Sequence, residues 1–424
     1  MMINKKSLNK GSIYLIANVL NASIPFLLLP VLTRVLSPED YGIVAMFTIF
    51  LTLTNAFVGL SVQGAINVNY FNLTSQKFSE YIASCLVLLI LSTLITFIVI
   101  AIFGFWIERY VSLPYHWLLI AVAVSFFQFL IRLQLTVWIV KGAAIQYGGF
   151  QISNTLINTL FSLFLIFAVG MLWEGRLIGQ AVAIIGFGIV SILLLYKNNL
   201  IKKPTTLKLD MQDALKFGLP LIPHVLGAFA IYSMDRVIIT TLIGAYAVGI
   251  YMVGLQLGQA MGLLSDSFNK VYSPWLMKTL STDEIDKQNI VKNSYLAMGA
   301  ILFVGLLWGI VATVALPILA GEKFRQAQEI IWLLCLGFSF QGLYYLVTNY
   351  IFYTKKTKFL AVITFLSGII NLPLTYFFVK HYGIVGAAYA FILVQFLFFV
   401  SVWYLSNKVY PMPWFYFFKG KRNA

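Results

Sequence analysis

Arg132, Asp235 and Arg236 stand where an apolar chain should carry no charge, each inside a run of hydrophobic residues long enough to cross a bilayer. An ionisable group at mid-membrane costs about 2.5–3.5 kcal/mol on insertion scales, so such groups face a bundle interior or a wet cavity. Guanidinium keeps its charge at depth and gives paired, geometrically fixed hydrogen bonds to phosphate oxygens. Arg132 has no carboxylate on its own span, which an anionic ligand or a water-filled lumen would explain. Asp235 and Arg236 admit two readings: ion pairs that hold helices together, or members of a site.

Neutral polar residues fall at helical spacing around these charges. Gln128, Arg132 and Thr136 share one face, and so do Gln151, Asn154, Asn158 and Ser162. Similar stripes join Thr48, Thr52 and Asn55; Gln256, Gln259 and Asp266; and Ser367, Asn371 and Thr375. His224 and Asp235 sit about 20° apart around a common helix axis, about three turns apart along it. A single Ser/Thr stripe is usually helix packing. Several stripes carrying Asn, Gln and Arg favour a polar cavity.

The elements that must position these residues are membrane helices. Hydrophobic residues make up 60% of the 424, charged residues 10%, and mean hydropathy is +0.89, which excludes an ordinary soluble globule. Hydropathy predicts about twelve spans. The first half runs at 12–33, 41–62, 80–103, 114–138, 150–172 and 177–196. The second runs at 214–242, 247–268, 294–318, 328–352, 359–379 and 384–405. The expected architecture is an all-α integral membrane protein of two six-helix halves around a central cavity. The first apolar run is too long for a cleaved signal peptide and is expected to remain as the first span.

Net charge is +15. Most of the lysines and arginines lie in the two terminal segments and in alternate breaks, those holding Lys77, Lys141, Lys197–Lys216, Lys270–Lys292 and Lys355–Lys358. That asymmetry predicts cytoplasmic N- and C-termini and removes any need for nucleic acid as a partner. LTRVLSPEDYGIVAM at 32–46 aligns with ITTLIGAYAVGIYMV at 239–253, placing Gly42 on Gly249; GRLIGQAVA at 175–183 resembles GIVGAAYA at 383–390. Two parallel repeats follow: an N-terminal bundle at 1–200, a cytoplasmic linker at 201–213 and a C-terminal bundle at 214–424. Pro25 and Pro30, and Pro220 and Pro223, fall in the leading span of each repeat, where they mark kinks or hinges. The tail from Pro411 to Arg422 mixes aromatic rings with lysines, a composition suited to the headgroup interface.

Cys85 and Cys335 lie in apolar runs and read as packing residues, with no disulfide and no metal expected. Asp283, Glu284 and Asp286 sit in a solvated polar stretch rather than a convincing metal motif. No cofactor and no catalytic residue is expected. The predicted outer loops are too short for a polymerase or ligase site, and no Walker motif is present, so the pattern fits a carrier better than an enzyme.

LLPVLTRVLSPEDYGIVAMF at 28–47, FGLPLIPHVLGAFAIYSMDRVIITTLIGAYAVGIY at 217–251 and KFLAVITFLSGIINLPLTYFF at 358–378 resemble polysaccharide flippases of the Wzx type. These belong to the multidrug/oligosaccharidyl-lipid/polysaccharide exporter superfamily. The resemblance implies movement of an undecaprenyl-pyrophosphate-linked oligosaccharide from the cytoplasmic to the periplasmic leaflet of a bacterial inner membrane, by alternating access coupled to an ion gradient. It places the anionic headgroup on Arg132 and Arg236, with Arg34 and Lys141 as further candidates. Arg34, beside Glu39 and Asp40, fits an interface anchor equally well. Gln128 and Asn158 are candidates for sugar hydroxyls. Asp235, with His224 and Asp266, is the candidate ion-coupling group. Implied partners are lipid-linked oligosaccharide and membrane lipids, with a polysaccharide polymerase and chain-length proteins as further candidates. The alternatives are a cation-coupled multidrug antiporter, which would want acidic residues in its cavity, and a membrane polymerase or glycosyltransferase.

Overall fold

The computed structural model describes residues 5–282 and 285–415, with side chains described from Ala17 onward except those of Asn18, Ala22, His224 and Thr357. Regular structure among these residues is entirely helical. The chain forms two compact units: Met1–Phe229 with Gly244–Gly249, and Ala230–Ile243 with Ile250–Ala424.

In the first unit the helices are α1 (Lys5–Val35), α2 (Pro38–Phe57), α3 (Gln63–Asn72), α4 (Ser75–Val111), α5 (Tyr115–Val140), α6 (Ala144–Phe167), α7 (Trp173–Lys197) and α8 (Leu207–Gly218). The turn from α1 to α2 is written locally. Ser37 Oγ accepts from the Asp40 amide at 3.1 Å, Asp40 returns a carboxylate oxygen to the Ser37 amide at 2.9 Å, and Pro38 opens the helix. That capping box satisfies amide donors a helix start would otherwise leave bare. α5 is the hub, packing against α2, α4 and α7, while α6 lies between α1 and α7. α4 runs several residues past the predicted 80–103 at both ends. The predicted span at 41–62 stops at Phe57, and the short α3 follows a turn in which Gly59, Leu60 and Ser61 take positive φ. Part of the segment expected as a linker is helix: α8 starts inside 201–213 and buries Asp210 and Ala214.

Chain order continues with α9 (Ile222–Tyr232), α10 (Met234–Leu242), α11 (Ala245–Leu280), α12 (Lys287–Ala320), α13 (Gln328–Tyr353) and α14 (Thr357–Val409). The predicted continuous span at 214–242 is broken. Pro220 lies in a 3-10 turn at Leu219–Leu221, Pro223 opens α9, and Ser233 (φ −138°, ψ −20°) separates α9 from α10. Proline removes a backbone donor and crowds the preceding turn, which loosens the helix where it falls, an effect invisible to hydropathy. α14 has 53 residues, about 80 Å at 1.5 Å per residue, far more than one crossing needs. It is two spans joined at Gly383, whose φ of 60° and ψ of −140° reverse the chain. Ten helices among the described residues are long and apolar enough to cross a membrane.

The sequence repeat has a structural counterpart inside the first unit. A Cβ on Gly42 would run into the carbonyl of Ala245, and a Cβ on Gly249 into the carbonyl of Pro38. Each glycine therefore meets the residue four before its own repeat mate. Such a reciprocal approach is what a two-fold relation between aligned segments produces, and only glycine permits it.

Cys85 and Cys335 are free and buried. Asp286 caps α12 by accepting from the Asn289 amide at 3.0 Å, whereas Asp283 and Glu284 lie outside the described residues. The tail departs from a simple interface anchor. Trp414 is 2% exposed, with its ring 5.4 Å from that of Trp403 and 5.8 Å from that of Tyr295. A buried aromatic cluster of this kind fastens the chain end to α12 and α14. The basic residues Lys419, Lys421 and Arg422 lie outside the described residues.

Candidate functional site

α5 carries Gln128, Arg132 and Thr136 on one face, and α2 presents Asn55 to it. Asn55 Nδ2 donates to Gln128 Oε1 at 2.9 Å, and Arg132 Nη2 donates to Asn55 Oδ1. One asparagine amide thus ties the glutamine to the arginine. Thr136 Oγ1 turns back to the Arg132 carbonyl at 2.9 Å. Arg132 forms no ion pair among the described residues, and its Nε has no hydrogen-bond partner there. Next to this cluster Thr54 and Ser125 join α2 to α5 at 2.7 Å. The arrangement is a half-buried guanidinium held by neutral amides, with hydrogen-bonding capacity left over. That is the chemistry of an anion receptor.

Thr48 and Thr52, on the same predicted stripe as Asn55, donate to their own helix at the Val44 and Thr48 carbonyls. Asn158 does not join Arg132. Its Oδ1 accepts from Arg176 Nη1 at 2.6 Å, and Ser162 Oγ accepts from the same nitrogen at 2.9 Å. Two residues of the α6 stripe are therefore a socket for Arg176, which the predicted span at 177–196 leaves just outside. Its position in the first turn of α7, three residues past Trp173, was the available signal: a helical residue can project inward even when hydropathy draws the boundary beside it. Gln151 Oε1 and Asn154 Oδ1, lower on the same stripe, have no partner among the described residues.

In the second unit the break at Ser233 creates a second polar site. The end of α9 would leave carbonyls bare. Asn371 Nδ2 donates to those of Ala230 and Ile231, at 3.0 and 3.3 Å, and Arg236 Nη1 donates to that of Tyr232. Asp235 sits in the first turn of α10, where helix amides favour negative charge. Its Oδ1 lies 3.2 Å from Arg236 Nη1 and its Oδ2 accepts from Tyr251 Oη at 2.8 Å. Thr375 Oγ1 donates to Asn371 Oδ1 at 3.0 Å. Asp235, Asn371, Thr375 and Gln395 border a cavity of about 10 Å³, room for about one water, and neither amide atom of Gln395 has a partner among the described residues.

This geometry changes the roles expected of two charges. Arg236 is 6% exposed, ion-paired with Asp235 and engaged by a helix-end carbonyl, so it does not stand as an open cation. Asp266 pairs with Lys270 at 2.7 Å on the partly exposed face of α11, one helical turn away, rather than joining Asp235. Of His224, only the backbone in α9 is described; the side chain lies outside the described residues. Arg34 is exposed in the last turn of α1, where a cation complements the helix dipole. Lys141 ends α5 nine residues beyond Arg132 and lines a different cavity, on the side of Asn198–Lys202. Of the six expected substrate residues, the structure brings together Gln128 and Arg132. The members sequence reasoning did not connect are Asn55, which bridges them from another helix, and Asn371, Thr375 and Gln395 around Asp235.

Comparison with known proteins places the chain in a family setting. The family model described as "Polysaccharide biosynthesis protein" matches residues 7–280. A protein of the Lsg locus of Haemophilus influenzae is 26% identical over 398 residues, covering 92% of this chain and 96% of its own length. Among solved structures, the lipid II flippase MurJ in an inward closed conformation superposes with a TM-score of 0.72 at 16% identity, covering 93% of this chain and 87% of that one. An inward-facing multidrug resistance transporter of the MATE family, from the MOP superfamily, gives 0.66 at 11% identity, with 94% of each chain covered.

Proposed function

From the premise that the chain belongs to the polysaccharide biosynthesis protein family of membrane transporters, we propose that it flips an undecaprenyl-pyrophosphate-linked oligosaccharide from the cytoplasmic to the periplasmic leaflet. The observation that carries this reading is Arg132, a guanidinium within a membrane span with no carboxylate partner among the described residues. A pyrophosphate in hydrocarbon faces a prohibitive solvation cost, and a charged donor held ready by Asn55 and Gln128 offsets part of it. With the cell interior negative, outward movement of each anionic charge is favoured by about 2.3 kcal/mol per 100 mV. Headgroup export then runs with the potential. Ion coupling, assigned to Asp235, serves to reset the carrier, and access alternates between the two membrane faces around a polar cavity.

A cation-coupled multidrug antiporter, the other reading compatible with the fold, would need an uncompensated carboxylate to receive its substrate. Asp235 is already matched by Arg236 and Tyr251. The test is flipping of a short-chain lipid-linked oligosaccharide in proteoliposomes. Arg132→Gln should reduce the rate by about tenfold or more, the equivalent of one charge-assisted hydrogen bond at about 1.5–3 kcal/mol, and Arg132→Lys should recover only part. Unchanged flipping in Arg132→Gln would remove this reading.

A further inference from the structure

On the face that the basic residues assign to the cytoplasm, the first unit holds a cavity of about 610 Å³, built from the end of α3, the start of α4, the last residue after α5 and the segment after α7. Lys141 and Lys202 line it, and no carboxylate does. Neither lysine forms a salt bridge among the described residues. The contrast with Lys77, which lies between the lining residues Gln76 and Phe78, is informative. Its ammonium lies 3.3 Å from Glu80 and 3.4 Å from Asp210, while Asp213 accepts from Asn69 at 3.0 Å and Tyr81 at 2.8 Å, so the carboxylates of this region are engaged by groups other than Lys141 and Lys202. The cavity wall therefore presents two lysines free of salt bridges among the described residues and no carboxylate.

Its other walls are of two kinds. Asn198 and Asn199 bring amide groups to one side, while Phe71, Leu73 and Phe78 supply an apolar side, with Phe71 74% exposed at the rim. The far edge is fastened: the Lys202 amide donates to the Ser79 carbonyl at 3.3 Å, which holds the α7–α8 connection against α4. The volume falls within the range of small-molecule sites. Paired cations, neutral donors and an exposed aromatic edge at the level of a membrane surface match one chemistry, a phosphate carried on a lipid.

We propose that this cavity is a binding site for the headgroup of an anionic phospholipid, with Lys141 and Lys202 on the phosphate and Phe71 beside the glycerol and upper acyl chain. Lys141 then belongs to this site and not to the Arg132 cluster. The inference is independent of what the chain transports, because it needs only the cavity and a membrane.

Native mass spectrometry of the detergent-purified full chain tests it, with phosphatidylglycerol, phosphatidylcholine and inorganic phosphate as the probes. Phosphatidylglycerol should remain bound in preference to phosphatidylcholine. The Lys141→Gln/Lys202→Gln double variant should bind phosphatidylglycerol about 30-fold more weakly, on the scale of one surface lysine against anionic lipid taken twice. A Lys323→Gln/Arg325→Gln variant, which removes the same charge from an exposed stretch elsewhere, should bind like the parent. If the double variant does not fold, Lys202→Gln alone should show a loss of about fivefold. Undiminished phosphatidylglycerol binding in the lysine variants would overturn the site, and competition by inorganic phosphate as strong as by the lipid would overturn the lipid assignment.

Discussion

Two arginines that look alike in sequence have opposite situations. Arg132 is held by amides and keeps donor capacity, whereas Arg236 is consumed by Asp235 and the end of α9. The difference has consequences for mutagenesis. Removing one partner of a buried ion pair leaves the other uncompensated, at a cost of about 3–5 kcal/mol, while replacing both is far milder. Asp235→Asn alone is therefore expected to lower thermal stability sharply in detergent. Asp235→Asn combined with Arg236→Gln should recover most of it. If Asp235 carries the ion coupling, the folded double variant should flip lipid-linked sugar at a rate indifferent to an imposed pH or sodium gradient. A double variant still driven by either gradient would take the coupling role away from Asp235. Arg132 and Asp235 were both legible in the sequence as charges out of place, because the cost of burial depends only on residue type and depth. Asn55, which holds Arg132, and Asn371, which takes the helix-end carbonyls beside Asp235, were visible only as members of polar stripes, since these contacts cross between helices.

Breaks matter more than helices at the scale of elements. The interruption at Ser233 frees the carbonyls that Asn371 and Arg236 then take, so a discontinuous helix and its polar site form as one feature. The reversal in α14 depends on one residue. Gly383 occupies a backbone region open essentially to glycine, and a side chain there should cost on the order of 1–3 kcal/mol. Gly383→Ala is expected to lower the melting temperature of the purified protein, while Gly299→Ala, where a Cβ meets nothing within 4 Å, should be neutral or slightly stabilising. Equal melting temperatures for the two variants would show that the reversal tolerates a side chain. Hydropathy placed both spans of α14 correctly but could not see the turn geometry, which is a matter of dihedral angles and not of composition.

The distribution of basic charge over the whole molecule makes an orientation prediction that is open to direct measurement. In a background with Cys85→Ala and Cys335→Ala, a single cysteine replacing Lys380 should react with a membrane-impermeant maleimide in intact cells. One replacing Lys203 should react only after lysis, both positions being exposed. The reverse pattern would contradict cytoplasmic termini. The alignment of Gly42 with Gly249 is a second property read from the chain, and in the structure these two glycines make reciprocal close approaches within the first unit. What the sequence determined by itself is whatever follows from transfer energies and local periodicity: an all-helical membrane protein, the approximate spans, and the depth at which Arg132, Asp235 and Arg236 lie. What only the tertiary structure decided is which polar groups satisfy one another. Arg176 takes Asn158, Arg236 takes Asp235, and Arg132 is left with amides alone. Partner choice depends on distances between helices far apart in the chain, and no one-dimensional pattern carries that information.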